Sequence, residues 1–202
     1  KKTKDKACNM QVIFDTRGGR LNMTVINRSN DIWWGAYGAN AVHFSFLQEF
    51  IAAAIAHRIG VYRQVSNNFH LYTELYNAKP YLASPPDAHD YDHYSNGSVR
   101  PLPIMLNGEY KLFLTECEMF CHDPFNERIH YANPFFEHIA RPMAMISRVR
   151  KIHAGDGRSY AAKIRAEDWR RAAFDWIDRR DHARKIKEED DEINEMRETL
   201  KK

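Results

Sequence analysis

The chain begins with strand-like alternation and continues with helical periodicity. Apolar and polar positions alternate in "RLNMTVIN", with Leu21, Met23 and Val25 on one face, and "MQVIF" precedes it across the turn sequence "RGG". This pattern predicts a β-hairpin. From Ala41 to Ile59 apolar residues recur every three or four positions, which predicts a helix with Asn40 as a suitable N-cap and Gly60 as its stop. "VYRQVS" predicts a third strand and "NNFHLYTELY" a short helix.

Residues 78–104 are proline-rich and loop-like, and the chain beyond Glu109 has helical periodicity. "EYKLFLTECEMFC" predicts one helix, "NPFFEHIARPMAMISRVRKIH" a second that bends at Pro142, and "SYAAKIRAEDWRRAAFDWIDRR" a third. The buried stripe of this third helix is predicted to comprise Trp169, Ala173, Trp176 and Ile177. The last segment predicts a solvent-exposed helix or a frayed tail. The whole pattern indicates an α/β (α+β) fold, with a twisted, mainly β sheet and packed helices in residues 1–107 and a helical part in residues 108–202.

Composition excludes several classes of protein. The 202 residues carry a net charge of only +3, and acids and bases alternate in the C-terminal part, so a nucleic-acid partner is not expected. Three widely spaced cysteines do not form a disulfide framework, which favours a reducing cytoplasm. No apolar run reaches the length of a membrane span, and no signal peptide opens the sequence. The sequence enters a strand almost at once, which suggests that an N-terminal part is missing.

Cys8 and the Arg28-Ser29 pair lie at adjacent ends of the predicted hairpin. A thiol close to a guanidinium is shifted toward thiolate, the nucleophilic form, although a free cysteine is more commonly a small buried apolar residue. The fork of Arg28 and the hydroxyl of Ser29 suit a phosphate or carboxylate, and a structural salt bridge is the alternative.

Other polar side chains have weaker patterns. His70 and Tyr72 could hydrogen-bond a sugar hydroxyl, or could pack in a core. Cys117 and Cys121, followed by His122, have a helical spacing that could bind a metal. No second ligand pair with matching spacing follows, and both cysteines fit the core of an amphipathic helix, so no metal is predicted.

Taken together, these motifs resemble the catalytic half of the thymidylate synthase superfamily, which includes the phage deoxypyrimidylate hydroxymethylases. The resemblance covers about residues 5–105 and depends on the order of its parts. They are Cys8, "GRLNMTV", "RSND", Gly35, Asn40, the pair His70 and Tyr72, and "RPLP". Singly the motifs are weak, but this order and spacing is specific.

The resemblance implies a role for each matching residue. Cys8 would add to C6 of a pyrimidine, and Asp31 would contact the base and its surroundings. The substrate phosphate would be held by Arg28 and Ser29, the sugar 3′-hydroxyl by His70 and Tyr72, and N3 and O4 of the base by Asn40. The co-substrate 5,10-methylenetetrahydrofolate would be bound near Asp31, Trp33 and Gly35. Trp33, Trp34 and Tyr37 could form an apolar wall on the folate side, with core packing as the alternative.

The expected reaction is transfer of a one-carbon unit from methylenetetrahydrofolate to C5 of dUMP, as in thymidylate synthase. The alternatives are a phage-type dUMP or dCMP hydroxymethylase, a non-catalytic homologue that binds a nucleotide or RNA, and a helical interaction module. An amide at position 40 can offer a donor and an acceptor to uracil, whereas the related cytosine-selective enzymes have an aspartate there. Asn40 therefore argues for dUMP over dCMP.

The sequence departs from the family pattern in four places. Ala7-Cys8-Asn9 replaces Pro-Cys-His, and one extra residue separates Gly35 from Asn40. An N-terminal part with the general-acid glutamate is expected to be missing from this sequence, and charged helices stand where the family has a short closing tail. A buried dianionic phosphate needs more positive charge than one arginine provides. A homodimer is therefore expected, in which the partner subunit supplies further positive charge. The strand faces that carry Gln11, Ile13, Asn22, Thr24 and Ile26 fit such an interface.

Overall fold

In the computed structural model, which describes residues 7–74 and 94–199, the predicted hairpin is present and is confirmed. The elements in chain order are β1 (Asn9–Arg17), β2 (Arg20–Asn27), β3 (Asn30–Asp31), a π-helical segment (Ile32–Ala39), α1 (Asn40–Ala54), β4 (Arg58–Ser66), β5 (Phe69–His70), α2 (Tyr110–His122), a second π-helical segment (Phe136–Ala140), α3 (Arg141–Lys151), α4 (Arg158–Ala161) and α5 (Glu167–Thr199). Gly18 and Gly19 both have positive φ and form the hairpin turn, a conformation that favours glycine.

The central strand β2 pairs with β1 on one side and with β4 on the other. The β1–β2 pair is antiparallel, whereas β2 and β4 run parallel, as do the short strands β3 and β5. Parallel strands end at the same edge of a sheet. The segments that follow β2 and β4 therefore meet, and Asp31 pairs in register with His70.

The alternation predicted for β2 is confirmed by burial. Leu21, Met23 and Val25 are at most 2% exposed, while Asn22, Thr24 and Ile26 on the opposite face are half-buried. The buried face packs against α1. This packing removes β2 from water on one side and fixes its register, because a slip by one residue would expose the apolar set.

The predicted limits and buried face of α1 were partly wrong. The helix ends at Ala54, and Gly60 lies within β4, where a Cβ would come 2.6 Å from the carbonyl oxygen of Leu21. Gly60 is thus needed for close strand approach and does not stop the helix. The buried residues of α1 are Gln48, Ala52 and Ala53, whereas Val42, Leu47 and Ile55, which belong to the apolar repeat that predicted the helix, are exposed. Small side chains let the helix approach β2, and Gln48 donates to the carbonyl of Leu21 at 2.8 Å.

Two local predictions around the strand ends were also wrong. Phe69 and His70 form strand β5 instead of starting a helix, because their backbone pairs with β3. The rest of that predicted helix beyond Glu74, and most of the predicted loop 78–104, lie outside the described residues. Asn40 is not an N-cap: it has helical φ and ψ, and the preceding π-helical segment runs directly into α1. The cap of that segment is Asp31, which accepts from the backbone N–H of Trp34 at 2.6 Å.

The chain divides into two compact units. The first comprises residues 1–92 and 103–113, and the second comprises residues 93–102 and 114–202. The core of the second unit is a cluster of buried apolar side chains from α3 to α5 and the segments around them. Its buried members are Ile139, Ile146, Ala161, Ile164, Ala166, Ala173 and Ile177.

The helices predicted for the second unit are present with different limits. The second π-helical segment precedes α3, so the backbone irregularity falls immediately before Pro142, in keeping with its missing N–H. The third predicted helix is broken between Ala161 and Glu167, where Ile164 and Ala166 enter the core. α5 then continues through the predicted tail as one helix of 33 residues. In its predicted stripe, Ala173 and Ile177 are buried, Trp169 is half-buried, and Trp176 is exposed.

None of the helices in the described ranges combines the length and the apolar character that a membrane crossing requires.

Candidate functional site

Cys8 and Arg28 lie side by side at the open end of the hairpin. The backbone N–H of Arg28 donates to the carbonyl of Cys8 at 2.9 Å, and Nη2 of Arg28 lies 4.0 Å from Cys8 Sγ. Nε of Arg28 donates to the carbonyl of Ala7 at 3.1 Å. Cys8 is exposed, so it is not the small buried apolar residue that free cysteines commonly are. A guanidinium beside an accessible thiol is the setting in which a thiolate can act as a nucleophile.

Asp31, Tyr72 and His70 are brought together by the pairing of β3 with β5. The carboxylate of Asp31 is buried and accepts from two backbone N–H groups, those of Trp34 and, at 3.4 Å, Tyr72. The ring of Tyr72 is exposed and meets the His70 ring edge-on, with 4.8 Å between centroids. Nδ1 of His70 is buried and lacks a hydrogen-bond partner within the described residues. A buried polar atom of this kind calls for a ligand or a water.

Asn40 is held by a relay of side-chain amides that the sequence interpretation missed. Its Nδ2 donates to Oδ1 of Asn30 at 3.1 Å. Nδ2 of Asn30 in turn donates to Oε1 of Gln64 at 3.0 Å and to Oγ of Ser66 at 3.1 Å. Nε2 of Gln64 donates to the carbonyl of Ala36 at 2.7 Å. The signal available in the sequence was the alternation that places Gln64 and Ser66 on one face of β4, but their partner lies more than 30 residues away.

Gly35 leaves the space in which this relay is formed. It is buried, and a Cβ at this position would overlap Oδ1 of Asn30 and lie 3.2 Å from Nδ2 of Asn40. A glycine is therefore needed at this position to make room for the two amide side chains. Its contact with a folate stays a prediction.

Three aromatic side chains follow Asp31 in the π-helical segment. Trp34 is 71% exposed and Tyr37 is 78% exposed, while Trp33 is half-buried. Core packing is thus ruled out for Trp34 and Tyr37. Exposed aromatic surface next to a polar cluster is typical of a ligand-binding face.

The hydroxyl of Tyr62 supports the start of α1. It donates to the carbonyl of Asn40 at 3.3 Å, and burial raises the pKa of Tyr62 to about 12. The phenol therefore stays protonated through the physiological range and remains a donor.

Ser29 is half-buried beside Arg28, and its contact with a phosphate stays a prediction.

The pair Cys117 and Cys121 lies on α2, away from these residues in sequence. Cys117 is half-buried, and burial raises its pKa, with a further rise from the neighbouring Cys121 thiol. In the parts of the chain that the structure describes, no three His, Cys, Asp or Glu side chains are grouped as a metal site.

Parts of the chain are similar to known proteins. Residues 1–89 match the thymidylate synthase family. The chain is 40% identical over 204 residues to the deoxyuridylate hydroxymethyltransferase of Pseudomonas phage M6, an alignment that covers 94% of this chain and 57% of that protein. The chain is therefore similar to the thymidylate synthase superfamily, through residues 1–89 and through this phage relative. The expected resemblance is confirmed, as is the mixed α/β fold of this superfamily.

Two further relatives have the same name. The deoxyuridylate hydroxymethyltransferase of Bacillus phage SP01 is 42% identical over 77 residues, covering 38% of this chain and 20% of that protein. That of Delftia phage PhiW-14 is 33% identical over 69 residues, covering 34% of this chain and 19% of that protein. The chain thus spans a little over half the length of the phage M6 protein and a smaller part of the other two.

Proposed function

We propose that this chain carries the catalytic half of a deoxyuridylate hydroxymethyltransferase, which transfers a one-carbon unit from 5,10-methylenetetrahydrofolate to C5 of dUMP. The observation that carries the proposal is the accessible thiol of Cys8 beside the guanidinium of Arg28. The names of the three relatives favour hydroxymethylation over the methylation expected from the sequence. Both reactions use the same addition to the base and differ only in how the new one-carbon group is completed.

In this proposal Cys8 activates the base. Its thiolate forms a bond to C6, and the electron pair of the C5–C6 double bond moves onto C5 and O4, which makes C5 nucleophilic. After C5 has bonded to the one-carbon unit, loss of the C5 proton and cleavage of the bond to the folate nitrogen release tetrahydrofolate and leave an exocyclic methylene on C5. Water adds to this methylene carbon, the C5–C6 double bond forms again, and Cys8 leaves C6 as a thiolate. Arg28 stabilises the thiolate and, together with Ser29, binds the phosphate. His70 and Tyr72 hold the sugar 3′-hydroxyl, and the unpartnered Nδ1 of His70 supports this role.

The folate supplies one carbon at the oxidation level of formaldehyde. Exposed Trp34 and Tyr37, with half-buried Trp33, offer an aromatic surface that suits its flat ring system. Asp31 is expected to support the folate side of the site by holding the backbone of Trp34 and Tyr72, since its two carboxylate oxygens accept from their N–H groups. Asn40 reads N3 and O4 of the base, which favours dUMP over dCMP.

The test is covalent trapping with 5-fluoro-dUMP and methylenetetrahydrofolate under reducing conditions, since all three cysteines are free and a reducing cytoplasm is the expected location. Fluorine at C5 blocks loss of the proton, so the adduct stalls and mass spectrometry can map it. We expect an adduct on Cys8 that Cys8→Ser abolishes, while Cys117→Ser and Cys121→Ser retain it. An adduct on another cysteine refutes the assignment. Nucleotide binding without any adduct indicates the non-catalytic homologue.

A homodimer forms part of the proposal. The sheet face opposite α1 carries Ile13, Val61 and Val65, each at least 43% exposed, beside half-buried Thr24 and Ile26. An exposed mixed face of this kind fits a symmetric interface. Sedimentation velocity should show a dimer whose affinity for dUMP falls on dilution. A monomer that binds dUMP tightly contradicts the dimer.

A further inference from the structure

We infer that Asn30 is a positioning residue that fixes the amide of Asn40 in one orientation and thereby selects uracil over cytosine. The inference rests on the proposed function, since it concerns the base that Asn40 reads. It follows from the direction of the hydrogen bonds in the amide relay formed by Ala36, Gln64, Asn30, Ser66 and Asn40.

The direction of the relay is set at the backbone carbonyl of Ala36. A carbonyl oxygen can only accept, so the group of Gln64 that lies 2.7 Å from it must be the amide nitrogen Nε2. The oxygen Oε1 of Gln64 consequently faces Asn30. If the Gln64 amide were reversed, two carbonyl oxygens would meet at the Ala36 end.

Asn30 transmits this direction to Asn40. Its Nδ2 has two hydrogens, which are donated to Oε1 of Gln64 and to Oγ of Ser66. Its Oδ1 therefore faces Asn40 and accepts from Nδ2 of that residue. Asn30 is only 2% exposed, so water cannot readily replace these partners if the amide turns over.

The relay leaves Asn40 with a fixed order of free groups. One N–H is used by Asn30, and within the described residues its other N–H and its Oδ1 have no recorded partner. Uracil presents a donor at N3 and an acceptor at O4, whereas cytosine presents an acceptor at N3 and a donor at its amino group. The two bases therefore require opposite orientations of the same amide, and turning Asn40 over to meet the other base would place its oxygen against Oδ1 of Asn30.

Gly35 makes the close approach of Asn30 and Asn40 possible. A methyl group there would overlap the oxygen that receives the Asn40 hydrogen bond. The site thus contains a backbone anchor, two connecting amides and a glycine that makes room for them, all within the first unit.

The experiment measures the dissociation constants of dUMP and dCMP for the full chain by calorimetry. In wild type the dissociation constant of dCMP should be at least about tenfold that of dUMP. Asn30→Ala should reduce this dCMP-to-dUMP ratio by about tenfold, because a free Asn40 amide can turn to suit either base. Asn30→Asp keeps an acceptor for Asn40 and should retain more of the preference than Asn30→Ala, although its second oxygen cannot donate to Oε1 of Gln64. Gln64→Leu should relax it as well, and provides a second route if Asn30→Ala does not fold.

Gln48→Leu is the matched control, since it removes another amide that donates to a backbone carbonyl and should leave the ratio unchanged. The side-chain amide resonance of Asn40, followed by ¹⁵N NMR in the unliganded protein, should shift in Asn30→Ala but not in Gln48→Leu. An unchanged ratio in Asn30→Ala, or an Asn40 resonance that does not respond, overturns the inference. A wild-type chain that forms the Cys8 adduct but binds both nucleotides equally overturns it too, and leaves the proposed function intact. Absence of the adduct contradicts the proposed function instead.

Discussion

Asn30 in the first unit and Glu116 in the second are both buried, but their hydrogen-bond partners differ in kind. In the first unit, the side chain of Asn30 bonds to other side chains, and the relay ends at the half-buried amide of Asn40. In the second unit, buried Glu116 accepts from the backbone N–H groups of Ala132 at 2.7 Å and Asn133 at 2.9 Å. The Asn133 side chain likewise accepts from the N–H of Phe135.

This difference separates a structural polar group from one that can recognise a ligand. A carboxylate whose bonds go to backbone donors compensates for groups that folding has removed from water. A relay of amides has a direction, and its last member can present a donor and an acceptor in fixed order. Burial of a polar residue is therefore a weaker indication of function than the identity of its partners.

The largest effect is expected from Glu116→Ala in the second unit. The substitution leaves two buried backbone N–H groups without acceptors, at a cost of about 1 to 3 kcal/mol each in the free energy of unfolding. Hydrogen exchange read by mass spectrometry should show faster exchange in residues 114–151. The exposed Glu118, on the same helix, provides the control Glu118→Ala, which should change little. The preference for dUMP over dCMP should stay as in wild type, and a large change in it would contradict the division between the two units.

Much of the first unit could be predicted because its signals are local. The alternation in β2 and the two glycines of the turn specify the hairpin, and the hairpin alone places Cys8 beside Arg28. Asp31 became a candidate site residue only through family resemblance, whereas His70 had a weak pattern of its own. Their adjacency depends on the parallel pairing of β3 and β5, which no local pattern encodes.

The rest depended on contacts that are distant in sequence. Gln48 is a polar residue in an apolar helix, and its burial makes sense only with the carbonyl of Leu21, which lies on another element. Gly60 resembles a helix stop until β4 is placed against β2. Asn40 resembles an N-cap until the π-helical segment before it is known. In the first two cases a tertiary contact overrides the local preference, and in the third the preceding π-helical segment does.

An intermediate effect is expected from Arg28→Ala in the first unit. Loss of a charge-assisted contact with the phosphate should weaken dUMP binding by about 2 to 3 kcal/mol, whereas deoxyuridine, which has no phosphate, should bind almost as before. Calorimetry with both ligands measures the difference. Arg28→Lys is the matched variant that keeps the charge without the fork, and should recover only part of the affinity. An equal loss for nucleotide and nucleoside would mean that Arg28 acts through its bond to the carbonyl of Ala7 and is structural.

The smallest effect is expected from a histidine of the second unit. The pKa of His138 is lowered from its ordinary value of 6.5, first by burial and then by the nearby positive charge of Arg165 and Arg141, against a weaker opposite effect of Glu137. The unfolded chain therefore binds a proton at this residue at a higher pH than the folded chain does. The stability of the second unit should be fully present above the ordinary pKa and should decrease as the pH falls through it.

His138→Gln removes this pH dependence. As the pH falls from about 8 to about 5, the unfolding free energy of wild type should therefore decrease more than that of the variant. Denaturant unfolding at a series of pH values measures the difference, followed by tryptophan fluorescence in chains that also carry Trp33→Phe and Trp34→Phe, so that Trp169 and Trp176 give the signal. His182→Gln changes an exposed histidine on α5 and controls for the loss of an imidazole as such. Wild-type and His138→Gln curves that stay parallel over this range would show that protonation of His138 does not oppose folding. The ratio of the dCMP and dUMP dissociation constants should not show this pH dependence, because Asn40, the proposed base reader, belongs to the first unit and His138 to the second.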